Sequence, residues 1–527
     1  MTTSRVIVLA CLLGTASAGA QKKTGFCDRI KALTGDPSVA SAHWGVSVTT
    51  LDGTVLCAIN QAQLFRPASN NKLFTMAAAL ALLGPERRFT TKVVAEGDLT
   101  DGKLHGNLRL LGGGDANFGA HDIPYLAPAL RPANPQPEPP TIADIEDLAA
   151  QIVATGLKSI DGDIIGDDSW FAWEPYPRGW TIDDLNTDYG APVSALMIHD
   201  SIVEIDASPG AVATVPDVPY YAIENDSTLG AANQGCGLRL ERELGSRSVV
   251  LYGSAPVGSK PCRVLTAIHD PAEYAALALK AALERQGVQV RGAAVAHHAP
   301  LRSTGPIAKA YDDVDTAIRT TLAKADPTTG PPVACPGTAA TPQKLLATHQ
   351  SPALGDDLYY TEKASDNLHA EILLRNLGAA FMCQHSESAD LLVMRSYLKQ
   401  IGIAPEDLVL YDGSGLSGHD LVTPRSLTQL LVYATMQKWA DSFKAALPIG
   451  GVDGTLASRF APPNSTLRGK VLAKTGTLGE SRDLSGYLTA ASGSTIVFSV
   501  LVDNHLPSGG ADRVAMDKIV EAIAAGN

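Results

Sequence analysis

Hydrophobic positions along this chain recur at two periods. From Lys72 to Leu83, Ala, Leu and Met crowd together until Gly84-Pro85, which predicts a helix stopped at that pair. Helical spacing recurs at Ile142 to Thr155, Pro271 to Gln286 and Val514 to Ala524, and over residues 27–34 and 368–380. Trp44 to Thr50 and Thr54 to Ile59 are β-rich around Asp52-Gly53, a hairpin signal. Leu108 to Leu111 predicts a strand that ends at Gly112-Gly113-Gly114-Asp115; no Gly-Lys-Ser/Thr follows, so this is a turn and not a phosphate loop. Asp161 to Asp167 alternates like a short strand and turn, and residues 201–265 are β-rich. Val471 to Lys474 begins a strand, and Gly486 to Thr489 and Thr495 to Val502 alternate like antiparallel neighbours. Proline-rich stretches at 127–140 and 325–342 read as exposed loops. The sum is an α+β fold: an antiparallel sheet flanked by helices, carrying a β-and-α insertion.

Composition narrows the class. The chain has 527 residues, 45% of them hydrophobic, enough for two or three domains. A net charge of −13 argues against a nucleic-acid partner. No run of about 18 apolar residues follows the N-terminus, so no membrane-spanning body is expected. Residues 1–20 read as an export signal: Arg5, the apolar run Val6 to Leu13, then small residues with a cut after Ala18 or Ala20. That predicts a periplasmic or cell-envelope protein. Six cysteines remain: Cys27, Cys57, Cys236, Cys262, Cys335 and Cys383. Three disulfides are possible in fifteen connectivities, with Cys236–Cys262 the favoured pair.

The chemistry starts at Pro67-Ala68-Ser69-Asn70-Asn71-Lys72. Residues three apart share a helical face, so the Ser69 hydroxyl and the Lys72 amine can meet. Burial of that helix would lower the amine pKa and let Lys72 take the serine proton. The Ser-x-x-Lys spacing is weak alone, because it recurs at Ser396/Lys399 in an amphipathic helix. Two further motifs give it company: Ser365-Asp366-Asn367 and Lys474-Thr475-Gly476. Ser365 would relay a proton, and Asn367 would hold Lys72 and the substrate amide. Ser365 or Asp366 would also cap the following helix. Lys474 and Thr475 would meet a substrate carboxylate, and Gly476 would let the backbone come close. The backbone N–H groups of Ser69 and Thr477 would form the oxyanion site. A second Lys-Thr-Gly, at Lys23, has no strand before it and reads as chance. No His-Glu-x-x-His occurs, so neither metal nor cofactor is expected.

These motifs stand in order with Tyr189-Gly190-Ala191-Pro192-Val193-Ser194-Ala195-Leu196, Asp412-Gly413-Ser414-Gly415-Leu416-Ser417 and Gly450-Gly451-Val452-Asp453-Gly454-Thr455-Leu456. From about residue 40 onward the chain resembles the D-alanyl-D-alanine carboxypeptidase/endopeptidase family, the class C low-molecular-mass penicillin-binding proteins of peptidase family S13. That resemblance implies a serine acyl-enzyme acting on peptidoglycan stem peptides and acylated by β-lactams. It implies a peptidase domain at 21–92 and 305–527, with residues 93–304 inserted as two nested smaller domains. It places Asp184 and Tyr189 in the substrate pocket. It also marks two departures. Gly418-His419 stands where the family often has an arginine, which leaves His419 as the candidate contact. Tyr359-Tyr360-Thr361-Glu362-Lys363 stands where it usually reads closer to Met-Asn-Lys. A β-lactamase or esterase on the same scaffold and a non-catalytic cell-wall binding module are the competing readings.

Overall fold

The structure, a computed structural model, describes residues 17–119, 125–131, 142–301, 307–323, 343–382, 386–463, 465–506 and 509–527. Its fold is α+β. A five-stranded antiparallel sheet runs in the order Val471–Leu478, Ser481–Thr489, Thr495–Asp503, His43–Thr50, Val55–Ile59. The two ends of the chain therefore meet in one sheet. His43–Thr50 pairs along its full length with Thr495–Asp503.

Period-two alternation explains how this sheet carries helices on both faces. Ile496, Phe498, Val500 and Val502 point to one side, into a core shared with Ile519, Val520 and Ile523 of the C-terminal helix Ala511–Gly526. Val497 and Leu501 point to the other, into a core shared with Phe74 and Leu80 of the helix Lys72–Leu82 and with Tyr397 and Leu430. That second face holds the chemistry.

A second sheet is built around the hairpin of Thr90–Thr100 and Lys103–Leu111. Ile164–Ala172 lies parallel to Lys103–Leu111 and to Ala294–Ala299. Lys344–Gln350 closes the other edge against Thr90–Thr100. The helices Ala143–Ala154 and Pro271–Arg285 share its core. Between Ile202 and Ala267 lie seven strands in two small sheets, as the β-rich pattern of 201–265 predicts. Asp161 to Asp167 divides differently from its alternation, because Asp161-Gly162-Asp163 turns between Ser159–Ile160 and the long strand Ile164–Ala172.

Disulfides join Cys27 to Cys57 and Cys236 to Cys262. The second is the pair favoured from sequence; Cys335, Cys383 and residues 1–16 of the expected signal lie outside the described residues. Among the described residues no helix is long and apolar enough to cross a membrane.

Candidate active site

Ser69, the candidate nucleophile, sits in a short turn, Ala68–Asn71, which feeds directly into the helix Lys72–Leu82. Ala68 holds a left-handed backbone, φ 41°, which aims the next residue off the helix axis. The turn is clamped from above by the loop 412–420. Asn71 Nδ2 donates to the Asp412 carbonyl at 2.9 Å. Gly415 (φ 82°) lies so close that a Cβ there would sit 1.8 Å from the Ala68 carbonyl. Glycine is required at that point by packing.

Lys72 is 1% exposed. Its Nζ lies 3.0 Å from Ser69 Oγ, 2.6 Å from Asn367 Oδ1 and 2.9 Å from the Ser414 carbonyl. Burial lowers the amine's pKa, opposed by the charges of Glu362, Asp412, Asp366 and Glu371. Asn367 Oδ1 and the Ser414 carbonyl can only accept. A neutral amine has two N–H donors and one lone pair. Two donors satisfy Asn367 and Ser414, and the lone pair then faces the Ser69 hydroxyl. The Asn367 orientation is fixed from its far side, because its Nδ2 donates to the Tyr189 carbonyl at 3.0 Å.

The second motif divides its labour. Asp366 caps the helix Asn367–Phe381 by accepting from His369 N at 3.0 Å. Ser365 ends the preceding helix Leu354–Ala364 in the left-handed conformation, φ 64°. Its hydroxyl is thereby turned to the cleft, where Lys474 Nζ donates to it at 2.7 Å. Lys474 is fully buried. Burial pushes its pKa down to about 7, with Glu362 opposing and Lys72 reinforcing the shift.

Lys474 to Thr477 lie on Val471–Leu478, the edge strand of the main sheet. Gly450 N donates to the Val471 carbonyl and Ala473 N to the Pro448 carbonyl, so odd-numbered residues turn their backbone groups outward. The pairing with Ser481–Thr489 runs unbroken to Leu478, which carries that phase to Thr475 and Thr477. Thr477 N–H thus faces off the sheet edge, on the side where an extended peptide would add as a strand. Thr475 Oγ1 donates to Thr455 Oγ1 at 2.7 Å. Gly476 also serves the packing of the site. A Cβ there would lie 2.8 Å from the Pro67 carbonyl and 2.9 Å from Asn70 Nδ2, so glycine lets the strand close on the nucleophile turn itself.

The three expected pocket residues meet the site less directly. Tyr189 reaches it through its carbonyl, while the residue is 48% exposed and lines a groove of about 740 Å³ with Ile182, Leu238, Arg239 and Tyr252. Asp184 Oδ2 accepts from Thr181 N at 3.0 Å and Thr181 Oγ1 at 2.7 Å, and so braces its own turn. His419 is exposed beside Tyr411, next to Ser417, whose hydroxyl donates to the Arg178 carbonyl.

Sequence reasoning missed the Ser414 carbonyl, Glu371, which accepts from Gly413 N and Ser414 N, and the buried Glu362. Only the Asp412 to Ser417 phrase flagged the first, with nothing to show that its backbone reaches Lys72. The recurrent Ser396/Lys399 spacing lies elsewhere, with both side chains bonded to Asp315. Asp200, Asp366 and His369 bring possible ligand atoms within 4.8 Å of one another. Burial lowers the His369 pKa, but Asp366, Asp357 and Asp200 outweigh it and hold the ring well above the usual histidine range. The ring bridges Asp357 Oδ1 and Asp200 Oδ1, at 2.6 and 3.0 Å, and so ties the start of the helix Asn367–Phe381 to both segments.

A half-buried serine on a buried lysine, a second serine on a second lysine, and an edge strand beside them define a serine acyl-transfer site of the penicillin-binding class. Comparison with known proteins agrees. Residues 27–312 and 312–525 match the D-Ala-D-Ala carboxypeptidase 3 (S13) family. A D-alanyl-D-alanine carboxypeptidase of Actinomadura is 29% identical, covering 97% of this chain and 86% of its own. The D-alanyl-D-alanine carboxypeptidase DacB of Haemophilus influenzae is 25% identical, covering 86% of this chain and 83% of its own. The crystal structure of penicillin binding protein 4 from Haemophilus influenzae shares the fold, with a TM-score of 0.70 at 23% identity, over 94% of this chain and 98% of that one. The chain belongs to the D-Ala-D-Ala carboxypeptidase 3 (S13) family, and is a serine-type carboxypeptidase of that class.

Proposed function

We propose that this protein is an exported DD-peptidase that cleaves D-Ala-D-Ala ends or D-centred cross-links of peptidoglycan through an acyl-enzyme on Ser69. The observation that carries the reading is the Lys72 amine, buried and held by two pure acceptors with its third direction on Ser69 Oγ. Ser69 Oγ attacks the penultimate D-alanine carbonyl while its proton passes to Lys72 Nζ. The carbonyl oxygen takes the negative charge and is held by the N–H groups of Ser69 and Thr477. Lys72 gives that proton up through Ser365, which Lys474 holds, to the departing amine as the C–N bond breaks, and is neutral again. Water then hydrolyses the ester, with Lys72 again taking the proton.

Substrate would enter as a strand against Val471–Leu478, its carboxylate at Lys474 and Thr475. Asp184, Tyr189 and His419 would line the approach for the far end of the stem peptide. β-Lactams would acylate the same serine and leave slowly; the Haemophilus protein has been crystallised with a β-lactam. The export reading rests on Arg5 and the apolar run after it, and places the substrate in the periplasm or cell envelope. The interval 93–304 would form most of the nested insertion, whose sheet also takes in the start of Thr90–Thr100 and the strand Lys344–Gln350.

Intact mass against time after adding a penicillin, followed by peptide mapping, tests this directly. A lasting adduct on Ser69, lost in Ser69→Ala together with D-alanine release, is the expected result. A fleeting adduct with consumed penicillin would move the assignment to a β-lactamase. No adduct, with muropeptide affinity intact, would leave a binding module.

A further inference from the structure

Four carboxylates act on Lys72: Glu362, Asp412, Asp366 and Glu371. Three of them are engaged by hydrogen-bond donors. Glu371 accepts from Gly413 N and Ser414 N. Asp412 accepts from Gly415 N, Ser417 N and Trp180 Nε1. Asp366 caps the helix Asn367–Phe381. Glu362 differs. It is 1% exposed, and among the described residues neither of its oxygens has a hydrogen-bond partner. Its position on the helix Leu354–Ala364, one turn before Ser365, turns its charge on both catalytic lysines. The adjacent Lys363 faces away, onto Asp453.

A buried carboxylate without donors is costly to keep, so a structural hydrogen bond does not account for it. The charge count does. Before attack the site needs Lys72 neutral and Lys474 protonated, one buried positive charge. When Lys72 takes the serine proton there are two. The geometry points to Glu362 as a positioning residue for acylation: an ionised carboxylate that offsets Lys474 in the ground state and the second ammonium as it forms. This rests on the serine–lysine reading of the site above. Burial pushes Glu362 up to about 7, with Lys474 and Lys72 pulling it back, and Lys474 itself stands near 7, so the proton count of the trio is set within the working range.

The test is the pH profile of Ser69 acylation by a penicillin in the full chain, wild type against Glu362→Gln. Without the carboxylate both lysines give up protons more readily. Lys72 becomes a weaker base and Lys474 loses its charge at lower pH. The expected result is a profile displaced to lower pH by about one unit or more, with the rate at its optimum down roughly tenfold. Glu362→Asp, which keeps the charge, should restore most of both. Should the Gln protein fail to fold, Glu362→Asn makes the same prediction with a smaller neutral side chain. A neutral variant whose profile overlays wild type, or moves to higher pH, overturns the inference. Absence of a Ser69 adduct in the wild type itself would overturn the functional reading instead, so the two failures are distinct.

Discussion

The inserted sheet and the catalytic cleft both bury ionisable groups, but close them differently. In the sheet, Arg109 donates to Glu96 and Asp167, both at 2.6 Å, and His298 bridges Asp168 and Asp270. Arg109 and His298 each meet their opposite charges at hydrogen-bond distance. In the cleft, Lys72 and Lys474 point at hydroxyls, an amide oxygen and carbonyls. Among the described residues neither lysine touches a carboxylate, although the charge of Glu362 acts on both. Direct pairing would hold each amine charged and inert as a base. Separation from the counter-charge keeps the proton transferable.

The sharpest break in the comparison is Lys72→Met. It removes a fully buried amine that has no direct ion partner. Penicillin acylation should fall at least about a thousandfold, the loss of the general base, while stability falls by no more than about 1–3 kcal/mol, because relief of the desolvated amine partly offsets the Asn367 and Ser414 oxygens left without their donor. Stopped-flow acylation and a melting curve read the two effects separately. Acylation within tenfold of wild type would remove Lys72 from the mechanism.

Lys363→Met is the converse experiment just behind the cleft. Lys363 is as buried as Lys72, but its Nζ holds both Asp453 oxygens, at 2.9 and 2.7 Å, and the Leu447 carbonyl. Its removal leaves Asp453 buried with its charge unpaired, at a cost of about 3–5 kcal/mol. Denaturant unfolding should show that loss, and the molecules still folded should form the Ser69 adduct. An unchanged unfolding midpoint would mean that the pair is not closed as described.

The motif set Lys72 apart in the sequence, but nothing there showed that Lys363 is closed by a carboxylate and Lys72 is not. Ser69, Lys72, Ser365, Asn367 and Lys474 were legible because short motifs place each pair on one turn or strand, and local spacing fixes local geometry. The main sheet was legible for the same reason: period-two alternation in Thr495 to Val502 marks a strand with two covered faces. The rest depends on contacts between distant segments. Nothing near Ser414 announces that its carbonyl reaches an amine 342 positions earlier. Glu362 stood out only as a departure from the family pattern, and its role follows from the absence of a donor, which no sequence displays. The Cys27–Cys57 bond required knowing that the N-terminal helix lies against the first hairpin. Ser365 needed its left-handed backbone to reach Lys474 while Asp366 took the cap, and the motif is compatible with either residue capping.

The smallest effect lies in the sheet, and its pH dependence separates it from the cleft. His298 sits between Asp168 Oδ1 at 2.9 Å and Asp270 Oδ2 at 3.1 Å, with its ring stacked on Trp173. Burial lowers its pKa, but the two carboxylates outweigh it and hold it at about 10. An unfolded histidine titrates near 6.5. The folded value is the higher one, so this stabilisation is complete below about pH 6.5 and drains away as pH rises towards about 10. His298→Gln should therefore lower stability by about 1–2 kcal/mol near pH 6, allowing for its partial exposure to water, with the difference shrinking steadily on the alkaline side. Melting curves for both proteins across that range check it. A deficit that stays constant with pH would show that the ring acts through packing on Trp173 alone. The Ser69 adduct should form in the variant with the wild-type pH profile wherever it is folded, because the sheet's closed pairs hold the fold together and take no part in moving the serine proton.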